Sequence, residues 1–311
     1  MTFREFCRSY GLMVHLDITP GKWQRCATED KPRRRNGSFK LCEDERAGFC
    51  LNYATMTEAA VWHADRTDRA PVIDAKELES RRLAKERETR KAIDGAQRYY
   101  AACQPVRGSH PYLDRKDLTM EGCYGLRVDP ENRLVIPLYT QGELVSVQRV
   151  AEDGEKLFWP GAPIKGAYYA LARKHATITV FCEGLATGLT IFAACQEARV
   201  ICAFSSGNLP QIVFKPPFGI AIVAADNDWK TAEKIGSNPG VDAAKKAADA
   251  IGSRLAIPRV ADERHSDFND LFAELLEKQK TNRMFSKWKC SDAKVRQLAL
   301  AGIKSAILGI G

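Results

Sequence analysis

Hydrophobic and polar positions change rhythm along the 311 residues, and the clearest pattern lies in the C-terminal half. There the apolar runs TITVFC (177–182), VICAF (200–204), IAIVAA (220–225) and RLAIP (254–258) alternate with segments of helical period. Those segments cover 185–196, about 207–213, and 240–253. Short apolar runs separated by helices predict a β-α-β-α-β-α-β order, which is an α/β fold with a parallel sheet covered by helices. Ligands of such sheets bind beyond the C-terminal ends of the strands.

Upstream the pattern is different. Arg133–Tyr139 and Glu143–Val150 read as two strands joined through Thr140-Gln141-Gly142 as a hairpin. Residues 74–104 lack proline, are rich in helix formers and stay polar until their last turns, so they predict one long helix. Such a helix either bridges domains or lies on a domain surface. The stretch Lys22 to Lys40 holds seven basic residues with Pro32 and Asn36-Gly37, an arginine-rich turn between two short strands. Near the C-terminus, Val295, Leu298, Leu300, Ile303 and Ile307 mark one face of a helix over 291–308. The expected organisation is an N-terminal basic module (1–73), a bridging helix (74–104), a smaller mixed α+β subdomain (105–175), the parallel-sheet domain (176–280) and a basic helical tail (281–311).

Composition narrows the class. A hydrophobic content of 45% excludes wholesale disorder. No apolar run reaches about 18 residues, so no transmembrane helix and no membrane partner are expected. The first turn is charged and lacks a cleavable apolar stretch, which predicts a cytoplasmic protein. Ten cysteines without a C-x-x-C pair predict reduced thiols, with Cys182 and Cys202 buried in strands. The net charge of +8 is uneven: residues 1–115 carry +5, 116–277 carry −4, and 278–311 carry +7. An acidic centre between basic ends suits an anionic partner held near a cation-binding centre, and equally an ordinary solvated surface.

The acids fall where the strand-end rule points. Glu183-Gly184 directly follows the first run, and Asp226-Asn227-Asp228 directly follows the third. Neighbouring strands lie about 4.8 Å apart, so carboxylates ending two of them can share one hard cation, and oxygen-only donors select Mg²⁺ or Mn²⁺. Asp267 and Asp270, in SDFNDLF, fit either a helix cap with a first-turn acid or a second metal-side role.

Glu183-Gly184 and Asp226-x-Asp228 at these positions resemble the TOPRIM domain of primases, topoisomerases and some nucleases. That resemblance implies divalent metal held by Glu183, Asp226 and Asp228 for phosphoryl transfer or phosphodiester cleavage. The preceding segment, with NRLVIPLY (132–139), QRV (148–150), EKLF (155–158) and IKGAYYAL (164–171), resembles the catalytic core of DnaG-type primases. HPYLxRK (110–116), CEGLAT (182–187), AADND (224–228) and DFNDL (267–271) are similar to phage- and plasmid-type primases. The implied function is RNA primer synthesis from NTPs on single-stranded DNA in a bacterial host cell. Arg133, Arg149, Lys156, Lys165 and Lys230 would then line the nucleotide and template path. Trp23, Arg25, Arg33, Arg34 and Arg35 would contact template, unless that loop is simply solvated. Thr187 stands where DnaG-type enzymes often carry a further acid. Zinc is not expected, because the candidates His15, Cys26, Cys42 and Cys50 are irregularly spaced. The basic tail would pack on the body or dock to nucleic acid or a replicative helicase. No G-x-x-x-x-G-K-[ST] supplies a motor. The alternatives are a TOPRIM-type metal-dependent nuclease and a non-catalytic nucleic-acid-binding accessory.

Overall fold

The computed structural model describes residues 1–15, 17–56, 58–64, 75–216, 218–262, 264–285 and 291–309. The expected boundaries at 73 and 311 lie outside the described residues, as do 286–290 of the tail. The chain divides into two compact units, 1–88 with 233–237, and 89–232 with 238–311.

The first unit opens with α1 (Phe3–Ser9), started by a capping box in which Thr2 and Glu5 satisfy each other's backbone N–H. Five strands follow: β1 (Leu12–Met13), β2 (Gln24–Thr28), β3 (Gly37–Leu41), β4 (Ala47–Asn52) and β5 (Ala60–His63). They form one antiparallel sheet in chain order, and the arginine-rich stretch is the β2–β3 connection. Alternation puts Cys26, Phe39, Cys50 and Trp62 on the face that packs against Phe3, Phe6 and Cys7 of α1. A Cβ at Gly48 would fall 2.3 Å from the Phe3 ring, so glycine permits this close approach.

Helix α2 (Ala75–Ala102) matches the expected polar helix, and the division between the units passes through it. In the second unit, β6 (Gln104–Pro105), α3 (Pro111–Arg115), β7 (Arg127–Val128), β8 (Leu134–Thr140), β9 (Glu143–Val150) and β10 (Lys156–Phe158) follow. Their strands form an antiparallel sheet ordered β10-β9-β8-β7-β6. Gln141 and Gly142, with φ of 51° and 85°, make the two-residue turn between β8 and β9 whose left-handed residues match strand twist. Leu134, Ile136, Leu138 and Val150 point into the main core, whereas Val135 and Val147 point the other way, against Tyr99, Cys103 and Trp159.

The remaining elements are β11 (Tyr169–Leu171), β12 (Ile178–Cys182), α4 (Leu185–Ala194), β13 (Ala198–Cys202), α5 (Leu209–Ile212) and β14 (Ile220–Ala224). After them come α6 (Trp229–Ile235), α7 (Pro239–Ile251), β15 (Arg254–Ala256), α8 (Phe268–Phe285) and α9 (Asp292–Leu308). The sheet order is β11-β13-β12-β14-β15. Strands β12 to β15 are parallel as the periodicity predicts, and β11 adds an antiparallel edge from residues upstream of 176. Helices α4, α8 and α9 cover one face, and α5 and α7 cover the other. Burial on both faces explains why β12 is buried at every position and reads as a continuous apolar run. Helix α9 buries Val295, Ala299, Ile303 and Ile307 against α8 and α4, while Leu298 stays 41% exposed. The apolar face is therefore rotated slightly from the one read off the sequence, and the helical part of the tail packs on this unit. No helix among the described residues is long and apolar enough to cross a membrane.

Candidate active site

Glu183 leaves the C-terminal end of β12 at the centre of the sheet. Its carbonyl accepts the N–H of Phe204 at 2.7 Å and its carboxylate accepts the N–H of Ser206. Both donors come from the turn after β13. That turn holds Phe204 at φ 66°, a left-handed conformation that is unusual for a bulky residue and concentrates at functional sites.

Asp226 and Asp228 leave the neighbouring β14, and the residues around them fix the loop. The N–H of Asn227 donates to the Ser266 carbonyl at 2.6 Å. Asn238 caps α7 by accepting from the Val241 N–H. The same oxygen accepts the Asp228 N–H at 3.0 Å, and its amide donates to Asn227 Oδ1 at 2.8 Å. The Asp228 carboxylate accepts the Gly240 N–H. A Cβ on Gly240 would lie 2.3 Å from the Asp226 carbonyl and 3.0 Å from Asp228 Oδ2, so only glycine lets α7 start this close.

Electrostatics identify these acids as one group. Burial, then the negative charge of Asp228, pushes Glu183 up to about 6. Burial, then Glu183, Asp267 and Asp228 in turn, holds Asp226 well above the carboxylate range. Burial also raises Asp228 and Asp267. Lys156 is the cation that opposes the rise at both Glu183 and Asp226. Asp226 Oδ1 is buried with no hydrogen-bond partner. An orphaned, negatively charged oxygen surrounded by like charges fits a bound cation, and the all-oxygen donor set fits a hard divalent one. Among the described residues no three His, Cys, Asp or Glu side chains already form a ligand group for one ion.

The second pair of acids divides its work. Asp267 caps α8 by accepting the Asp270 N–H at 2.8 Å, and its charge is felt at Glu183 and Asp226. Asp270 pairs with Lys116 Nζ at 3.3 Å and accepts the Ser266 N–H at 3.0 Å, and after burial its charge is the next cause that raises Asp267. Asn269 donates to the Lys116 carbonyl and to Thr190, tying the HPYLxRK segment to the DFNDL segment.

The basic residues expected to act together are separated. Lys156 pairs in register with Val150, and so takes the face of β9 that points into the main core and towards the acids. Arg149 is one position away and takes the opposite face. Its guanidinium lies 5.5 Å from the Trp159 ring and 6.0 Å from Tyr99. Arg133 has the same parity and is held by Asp129 at 2.6 Å and by Glu131. Strand register thus puts Arg133 and Arg149 on the face opposite Lys156, because one residue of offset reverses the face. Lys165 is exposed on the turn at Gly166. Buried Asn208 holds that turn by accepting the Gly166 N–H at 2.7 Å and donating to the Ala167 and Ala203 carbonyls, each at 2.8 Å. Lys230 is exposed in the first turn of α6, its ammonium 5.8 Å from the Trp229 ring centroid. Thr187 is buried at the start of α4, its hydroxyl without a partner.

In the first unit, Trp23, Arg25 and Arg33–Arg35 are exposed. Cys26 and Cys50 lie in the core beside Cys7, whereas His15 is exposed and Cys42 is only half-buried, so the four zinc candidates are not gathered. Sequence reasoning missed Asn238 and Asn208. Asn238-Pro239 carries the usual mark of a helix start and could have been found. Asn208 carries no local mark, because Gly166 and Ala167, two of its three side-chain partners, lie some forty positions earlier.

Residues 178–277 match the Toprim domain family, and this part of the chain is a Toprim domain. Over most of its length the chain is similar to two proteins named DNA primase TraC. The chain is 28% identical over 279 residues to a DNA primase TraC of Escherichia coli, covering 82% of this chain and 26% of the relative. A second DNA primase TraC of Escherichia coli is 28% identical over 331 residues, covering 98% of this chain and 22% of its own. The chain thus spans about a quarter of the length of these relatives. Among solved structures, the primase fragment of the bacteriophage T7 primase-helicase protein is similar over 60% of this chain and 79% of its own, at 16% identity and a TM-score of 0.40.

Proposed function

We propose that the protein is a metal-dependent DNA primase that joins NTPs into short RNA primers on single-stranded DNA in phage or plasmid replication. The observation that carries this reading is the orphaned Asp226 oxygen among Glu183, Asp228 and Asp267, with Lys156 as the cation facing them. Similarity to the TraC primases over most of the chain supports the choice of reaction.

Glu183, Asp226 and Asp228 would hold Mg²⁺ or Mn²⁺, with Asp267 adding negative charge from the side. When bound, such an ion neutralises phosphate charge and lowers the pKa of a coordinated hydroxyl. The chain's own residues do the positioning, which is most of what phosphoryl transfer requires. Lys156 and Lys165 would hold triphosphate oxygens, and Lys230 is a further candidate. The Asn238 and Gly240 contacts keep the Asp228 carboxylate in place before substrate arrives. Arg133 and Arg149 belong to the packing of the subdomain on α2, and Asp270 to its link with α8. The boundaries 105–175 and 176–280 remain useful names for the two catalytic segments, and the cytoplasm of the bacterial host is the proposed location. A helicase is a proposed partner, reached through exposed parts of the basic tail.

Incubation with labelled NTPs, varied single-stranded templates and Mg²⁺ or Mn²⁺ tests the reading. Primers from the wild type and none from Glu183→Gln are expected. No product from either protein on any template overturns it, and metal-dependent cleavage of DNA without NTPs assigns the site to a nuclease.

A further inference from the structure

The loop between β15 and α8 converges on one carboxylate. Glu274, in the second turn of α8, accepts the Ala261 N–H at 2.9 Å and the Asp262 N–H at 2.9 Å. The His265 ring donates to it from Nδ1, 2.7 Å from Oε1. Glu274 lies past the free N–H groups of the helix start, so it does not cap its own helix. Burial opposes its charge, but the Asp262 and Ala261 N–H groups and the His265 ring outweigh burial and hold the carboxyl below its usual range. Residues 258–262 also line an open groove of about 1140 Å³, so part of this stretch meets no packing partner. Hydrogen bonds to Glu274 therefore carry much of its ordering.

What the loop holds in turn is the acid pair. Its Ser266 carbonyl accepts the Asn227 N–H at 2.6 Å, and its His265 carbonyl accepts Trp229 Nε1–H at 3.2 Å. Its Pro258 carbonyl accepts the Asn227 amide at 3.4 Å. Asn227 stands between Asp226 and Asp228, and Trp229 follows Asp228. The acid pair is thus gripped from two sides, by Asn238 at the start of α7 and by this loop. Partners that orient metal ligands from outside change metal affinity by about ten- to a hundredfold when removed.

We infer that Glu274 is a positioning residue for the metal acids: through the 261–266 loop it fixes Asn227 and Trp229, and with them the directions of Asp226 and Asp228. It acts through the loop and not on the ion. The inference rests on the reading that these acids hold a divalent ion, and not on which reaction the ion serves.

The test is Mn²⁺ binding to the full chain, without NTP or DNA, followed by the electron paramagnetic resonance of free Mn²⁺. Glu274→Ala should weaken binding about tenfold. Glu274→Gln keeps the size and one acceptor oxygen, so it should fold even where alanine does not, and weaken binding about threefold, the weight of one ordinary hydrogen bond. Leu276→Ala loosens α8 from its buried side. It should lower the melting temperature and keep wild-type Mn²⁺ affinity, which separates general destabilisation from positioning. Trp229→Phe removes the bond to the His265 carbonyl. It should weaken binding about threefold alone and add nothing to Glu274→Ala, because residues in one chain of bonds are not additive. Wild-type affinity in a folded Glu274 variant, an equal loss in Leu276→Ala, or full additivity with Trp229→Phe each overturns the proposal. Glu183→Gln tells the two readings apart: if it abolishes Mn²⁺ binding while both Glu274 variants bind as wild type does, the acids hold the ion and Glu274 plays no part. If the wild type binds no Mn²⁺, the reading of the acids falls and this role falls with it.

Discussion

Asn238 receives the main-chain N–H of Asp228 at 3.0 Å while its own amide reaches Asn227 at 2.8 Å. One side chain thus starts helix α7, holds the Asp228 peptide N–H and anchors the Asn227 side chain between the two carboxylates. Local secondary structure and site geometry are here the same set of bonds.

Replacing Asn238 by Ala removes the helix cap and the Asp228 contact together. The cap alone costs about 1 kcal/mol, and leaving the Asp228 N–H without a partner adds about 1 kcal/mol. Primer synthesis should fall at least tenfold through kcat. Asn238→Ser should recover the stability lost with the cap, because Ser can accept from the Val241 N–H, but not the bond to Asn227. Chemical denaturation and single-turnover kinetics check the two effects. Equal recovery of stability and rate in Asn238→Ser would remove Asn238 from the positioning of the acids.

The acid cluster stores repulsion when no cation is bound. Burial and Asp228 hold Glu183 at about 6, above the ordinary carboxylate value, so the folded chain binds a proton more tightly than the unfolded one. Stabilisation by that proton is complete below the ordinary value near 4.5 and is lost as pH rises to about 6. In EDTA at pH 7.5, Glu183→Gln should therefore be more stable than wild type by about 1–2 kcal/mol, from the 1.4 kcal/mol that one pKa unit represents. The gap should close at pH 4.5. Adding Mg²⁺ should raise the melting temperature of wild type and leave the variant nearly unmoved. Thermal melts over this pH range, with and without Mg²⁺, decide it; a variant less stable than wild type in EDTA contradicts the cluster's repulsion.

Asn208 links the two catalytic segments. Its replacement by Leu strands the Gly166 N–H and the Ala167 and Ala203 carbonyls, costing about 2–3 kcal/mol in total if each buried group loses roughly 1 kcal/mol. The turn carrying Lys165 would lose its seat, so KM for NTP should rise more than kcat falls. Lys165→Ala alone should raise KM without a change in melting temperature. A Lys165→Ala variant with wild-type KM removes that lysine from the substrate path.

Much of this was legible in the sequence because its causes are local. The four apolar runs, the long polar helix and the β8–β9 hairpin each announce themselves in one contiguous stretch of chain, and so do Glu183 and the Asp226–Asp228 pair at strand ends. What was not legible depends on partners far apart. The antiparallel edge strand β11 is three residues long and pairs with β13 some thirty positions later. Asp270 pairs with Lys116, some 150 positions earlier in the chain. The rotation of the apolar face of α9 follows from how it sits on α8 and α4, which no helical period encodes.

The sharpest case is the pair Arg149 and Lys156, which the family resemblance puts in one path and the pleat puts on opposite faces of a sheet. Lys156 is the cation felt by Glu183 and Asp226. Lys156→Ala should cut primer synthesis by tenfold or more and leave the melting temperature within a degree or so, since its side chain is exposed and carries little packing. Arg149 covers Tyr99 and Trp159, which themselves stack at 4.7 Å. Arg149→Ala should therefore destabilise by about 1–2 kcal/mol through lost packing and cation–π contact. Its effect on rate should be no greater than that loss of folded protein explains. Arg149→Met, which keeps the apolar stem, should recover part of the stability and all of the remaining activity. Parallel melts and initial rates for the three variants distinguish the faces. If Arg149→Met stays folded and inactive, Arg149 belongs to the substrate path after all, and the face assignment drawn from strand register is wrong.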